Sequence, residues 1–105
     1  MKVRFSARSE IDLQEIGDYI AQRSPMQAVT FIRTLRKACN QIGLMPTAYR
    51  ERPELGAGIR SSAVKRHVIF FVITGGGVLI VRVLHGARDI GPTDLDDDQR
   101  GAPGG

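Results

Sequence analysis

The chain has 105 residues, a formal net charge of +4 and a pI near 9.8. At roughly 100–200 residues per domain this is one domain, and 42% hydrophobic with 25% charged residues describes a globular chain with one core, not a disordered one. The lone cysteine, Cys39, excludes an intrachain disulfide framework and a multi-cysteine metal cluster; with no signal peptide and no apolar run near the ~18 residues that span a bilayer, a cytoplasmic protein is expected.

Lys2 to Phe5 alternates polar and apolar residues and predicts a short strand with Val3 and Phe5 facing the core. Ser6, or Ser9 in a capping-box-like start, then opens a helix carrying Leu13, Ile16 and Ile20 on one stripe. Ser24-Pro25 ends this helix and opens a second, because serine at the N-cap with proline at N1 favours initiation. Phe31, Leu35, Cys39 and Ile42 recur at helical spacing along it. Gly43 is expected at its C-cap, and Pro46 blocks continuation. The short link predicts an antiparallel helical hairpin.

Residues 46–58 read as a loop rich in Pro and Gly, followed by a strand over 59–64. His67 to Ile73 and Val78 to Leu84 are strongly apolar strands joined by a turn at Thr74-Gly75-Gly76-Gly77. The order is β-α-α-β-β-β. It predicts an α+β fold, an antiparallel sheet covered on one face by the helical hairpin, with the other face open. Residues 1–93 form the expected domain, and 94–105, acidic and containing Gly and Pro, form an expected flexible tail.

The charge is unevenly placed. Residues 33–88 hold ten Lys/Arg against two acidic residues, Glu51 and Glu54, whereas 91–105 hold Arg100 against four aspartates. A basic surface of that kind suits a polyanion or an acidic protein segment, or is simply solvated. Arg82 interrupts an apolar strand, where a guanidinium is costly unless it meets water, a carboxylate or a phosphate. By strand parity it shares a face with Val78, Ile80 and Leu84. It either contacts an anion on the open face or pairs with Asp89, Glu51 or Glu54. His85 either caps the sheet or serves as acid, base or contact residue. A neighbouring strand would bring Arg60 near Arg82, and Lys65 and Arg66 lie at the following turn. Gly75-Gly76-Gly77 lies between strands and not before a helix, so it is no phosphate loop. Cys39, on the apolar stripe, reads as core. No cofactor and no metal site are expected.

These residues together resemble the RelE/ParE superfamily of small bacterial toxins, its ParE branch most closely. The motifs are Ala7 with Asp12-Leu13, Ile16 and Tyr19-Ile20; Pro25 with Ala28 and Phe31; Leu35 to Pro46; Gly58-Ile59-Arg60; and Arg82 through Asp89. The resemblance covers residues 3–90 and implies the β-α-α-β-β-β fold. It also implies a toxin of a type II toxin–antitoxin module of the plasmid-stabilising kind, held inactive in a hetero-oligomer with a cognate, ParD-like antitoxin. ParE-like members poison DNA gyrase; RelE-like members cut messenger RNA on the ribosome. For ribonuclease action the resemblance points to Arg60, Arg82 and His85 as the catalytic set, yet the lysine cluster and late tyrosine of RelE-like toxins are missing. A non-enzymatic gyrase poison is therefore the favoured expectation, and an endoribonuclease the alternative. Expected contacts to target or antitoxin are Arg60, Lys65, Arg66, Arg82, His85 and Arg88.

Overall fold

The computed structural model describes residues 1–86 and 90–95. The chain runs β1 (Lys2–Phe5), α1 (Ala7–Ala21), α2 (Pro25–Leu44), β2 (Arg50–Glu51), β3 (Arg60–Val64), β4 (His67–Thr74) and β5 (Gly77–His85). Short 3-10 turns occupy Pro46–Ala48, Pro53–Leu55 and Pro92–Leu95. The α+β class and the helical hairpin are as expected. The sheet is not wholly antiparallel, however. Its order is β1-β5-β4-β3-β2, and β1 pairs with β5 in parallel, Lys2 opposite Gly77 and Phe5 opposite Ile80. Strand alternation carries no direction, so the sequence did not reveal this. The fifth strand, β2, is a two-residue edge piece within the expected loop, where Arg50 faces Ser61.

Serine caps set both helix starts. Ser6 Oγ accepts from Ser9 N at 3.0 Å, and Ser24 Oγ accepts from Gln27 N at 3.2 Å. The end of α2 differs from expectation. The helix runs through Gly43 to Leu44 with Met45 as cap. Gly43 is required for another reason: a Cβ there would lie 2.6 Å from Val3 Cγ2 and 2.8 Å from the Met1 carbonyl. Its bareness lets β1 pass against the helix. Gly75 and Gly76, at φ +48° and +81°, make the tight turn between β4 and β5 that the sequence predicts, while Gly77 already belongs to β5.

Two apolar clusters sandwich the sheet. On the helical side Leu13, Leu35, Cys39 and Ile42 pack on Ile69, Phe71, Val78, Ile80 and Val83. The opposite face is not open. Leu55, Ile59 and Leu95 cover Phe70, Val72, Leu79, Val81 and Leu84, all under 9% exposed. The covering residues come from segments too short to show a periodicity. Asp94 and Leu95, the first residues of the expected tail, lie in the last 3-10 turn, and Leu95 is buried; residues 96–105 lie outside the described residues.

The strand parity inferred for Arg82 also fails. The β4–β5 register shifts between Phe70, opposite Arg82, and Phe71, opposite Ile80. Val81 is the extra residue of a β-bulge, which reverses the in-out alternation beyond it. Val83 thereby joins Val78 and Ile80 on the helical side, and Leu84 turns to the other face.

Candidate functional site

The site grows from the junction between α1 and β5. Ser6 N donates to the Ile80 carbonyl at 2.9 Å and Ser6 Oγ to the Val81 carbonyl at 2.8 Å. These bonds fix the start of α1 on the bulged strand and bring Asp12 over Val83. Strand β1 has ended opposite Ile80, so it cannot serve the Val83 N–H. Asp12 Oδ2 accepts that N–H at 2.9 Å. The same carboxylate receives Arg82 in a fork: Nε to Oδ2 at 2.8 Å and Nη2 to Oδ1 at 2.9 Å. Arg8 Nε lies 3.7 Å from Asp12 Oδ1. The remaining arm of Arg82, Nη1, donates to the Asp94 carbonyl at 2.9 Å. Arg82 is 7% exposed and Asp12 3%. The Asp12 hydrogen bonds hold the guanidinium above its ordinary pKa despite the opposing effect of burial.

Arg82 is thus a paired arginine, and its carboxylate is none of the three expected from the sequence. Asp12 reads in the sequence as an acid favoured by the N-terminal half of a helix. Only the Ser6 cap bonded to β5 reveals why it sits there.

At the end of β5, His85 faces His67 across the β4–β5 ladder, ring centroids 5.2 Å apart. His67 also lies 5.2 Å from the Phe31 ring of α2. Its Nδ1 is buried without a protein partner. Burial first, and the charge of His85 second, push the His67 pKa down. The β3–β4 turn beside this pair carries exposed Lys65 and Arg66. Lys65 Nζ stands 5.8 Å from the Phe31 centroid, and the Arg66 carbonyl accepts Gly86 N at 2.7 Å. Two adjoining grooves result. One, about 420 Å³, is lined in part by Tyr19, Arg66, Arg82 and His85. The other, about 590 Å³, is lined in part by Met26, Phe31, Lys65 and Arg66, and His67 borders both.

Four of the six expected contact residues, Lys65, Arg66, Arg82 and His85, therefore gather at one end of the molecule. Arg60 does not join them. It sits opposite Phe71 while Arg82 sits opposite Phe70, so the two leave opposite faces of the sheet. Arg60 instead donates to the Tyr49 carbonyl at 2.7 Å and to Glu51 Oε1 at 2.9 Å. Arg88 lies outside the described residues. His67 is the participant that sequence reasoning passed over, because an apolar strand absorbed it.

In-line attack on a phosphate needs a base, an acid and positive charge converging on one point; Arg60 projects from the other face of the sheet, and Arg82 has its fork on Asp12 and Nη1 on the Asp94 carbonyl. Cys39 is buried, its thiol pushed up to about 12 by burial, so it is no nucleophile at neutral pH. Among the described residues, no group of three or more His, Cys, Asp or Glu side chains is placed to hold a metal, and no helix is long and apolar enough to cross a membrane.

Comparison with known proteins gives concordant matches. Residues 3–90 match the family model described as ParE toxin of type II toxin-antitoxin system, parDE. The chain is 31% identical over 87 residues to toxin ParE1 of Mycobacterium tuberculosis (strain CDC 1551 / Oshkosh), covering 81% of this chain and 89% of that protein. It is 36% identical over 83 residues to toxin ParE1 of Caulobacter vibrioides, covering 78% and 85% respectively. A solved structure described as the chromosomal ParDE TA system from P. aeruginosa superposes with a TM-score of 0.71 at 18% identity, over 81% of this chain and 95% of that one, which establishes the shared fold.

Proposed function

The chain belongs to the ParE toxin family of type II toxin–antitoxin systems, and from that premise we propose that it arrests growth in the cytoplasm by binding and poisoning DNA gyrase, and that a cognate ParD-like antitoxin neutralises it. The observation that carries the non-enzymatic reading is the commitment of Arg82. Its fork lies on Asp12 and its third arm on the Asp94 carbonyl. An arginine so engaged supports the sheet end; it is not poised to neutralise a cleaving phosphate. The proposed contacts at this end are Lys65, Arg66 and His85, supported by Arg82, with Arg60 as a separate position and Arg88 as a proposed contact outside the described residues.

A supercoiling assay with purified toxin tests the target. Gyrase should lose supercoiling activity and accumulate cleaved DNA. Unaffected gyrase together with new messenger ends on translating ribosomes would instead establish the ribonuclease. For neutralisation, co-expression with the neighbouring antitoxin should restore growth and yield a co-purifying hetero-oligomer. The basic surface predicts slower association at high salt, measurable by stopped-flow mixing across an ionic-strength series.

A further inference from the structure

The C-terminal cover of the second sheet face is built differently from everything beneath it. Residues 92–95 form one 3-10 turn, a structure used in short pieces because its hydrogen bonds are poorly aligned. Its internal bonds are local: Asp94 N to the Gly91 carbonyl at 3.0 Å and Gly91 N to Asp94 Oδ2 at 2.9 Å. It is held to the body by Arg82 Nη1 on the Asp94 carbonyl and by burial of Leu95, with Ile90 packed alongside. Below lie Phe70 of β4 and the bulge residue Val81 of β5, both fully buried. Among the described residues of this segment only Leu95 is buried, and a segment with so little buried side chain belongs to the low-stability end of a fold.

The Arg82 bond gives this cover a control point. Asp12 holds two arms of a planar fork, and a planar fork so held has its third arm aimed. That arm meets the Asp94 carbonyl. Anything that turns Asp12 away releases the aim.

We propose that residues 90–95 are a strap that lifts from the sheet while the helix-covered half stays folded, and that Asp12 on α1 is the positioning residue that sets how often it lifts. Lifting uncovers an apolar surface around Leu55, Phe70 and Leu79. A disturbance of α1 is thereby read at the far side of the sheet.

The lone cysteine supplies the internal standard. Cys39, buried under the helices, reports opening of the helix-covered half, and Leu95→Cys reports the strap. In the full-length chain under native conditions, a thiol reagent should label position 95 about 100-fold or more faster than Cys39. Equal rates would overturn the strap, because both sites would then open in one cooperative event. Adding Asp12→Asn should speed labelling at 95 about tenfold more than at Cys39. An equal acceleration at both would overturn the role of Asp12. Should Asp12→Asn unfold the chain, Asp12→Glu, which keeps the charge and displaces the fork, makes the same comparison. Amide exchange of the unmodified chain guards against Leu95→Cys itself loosening the strap. Gly91 and Asp94 N–H should exchange well before the amides of β4 and β5, and simultaneous exchange would again overturn the proposal.

Discussion

Arg82 and Arg60 sit in one sheet, each ion-paired to a carboxylate at nearly the same distance, 2.8 Å and 2.9 Å. Their surroundings divide them. Arg82 and Asp12 have side chains 8% and 3% exposed, whereas Glu51, the partner of Arg60, is 64% exposed. A buried pair that loses one member leaves a charge stranded in low dielectric, while an exposed one is rescued by water. The shared chemistry thus lies within a closed framework at Arg82, whereas at Arg60, itself 18% exposed, the carboxylate partner stands in solvent. A guanidinium within a strand cannot be assigned to function until its partner is known.

The sharpest way to break this contrast is Asp12→Ala. It strands Arg82 and the Val83 N–H together and should cost about 3–5 kcal/mol of stability, read from urea denaturation. Arg82→Lys keeps the charge but cannot span both Asp12 oxygens and the Asp94 carbonyl. A loss of about 1–3 kcal/mol is expected, and a variant as stable as the parent would show that the fork geometry is immaterial.

His67 adds an intermediate case, half-buried with a depressed pKa. The unfolded chain takes up a proton before the folded one does. Stability should therefore decline as pH falls below about 6.5, down to the lower folded pKa. His67→Gln should flatten that decline in urea midpoints measured across pH. The smallest effect is expected for Glu51→Ala, under about 1 kcal/mol. Added salt should shrink it further while leaving the Asp12→Ala cost largely intact.

What was legible in the sequence was local. Ser24-Pro25 marks a helix start within a few residues, and Gly75-Gly76 marks a turn by the backbone angles it permits. The apolar stripes of the two helices identify the core on their side. Long-range features were hidden for definite reasons. The carboxylate under Arg82 lies 70 residues away in sequence. One extra residue, Val81, reversed the face assignments of everything after it, and alternation rules have no means of seeing a bulge. Leu55 and Leu95 close the second face from single turns, which carry no period. For the candidate site, Arg82 and His85 stood out because a charged and a titratable residue punctuate an apolar strand. Their grouping with Lys65 and Arg66 depended on register, as did the exclusion of Arg60.

The parallel pairing of β1 with β5 has a consequence for folding kinetics. Lys2–Phe5 and its partners Gly77–Ile80 are separated in sequence by both helices and by β2, β3 and β4. Joining them closes a long loop, and contacts of such sequence separation slow folding. Ser6 also bonds to β5, so the Asp12–Arg82 junction depends on the same loop closure.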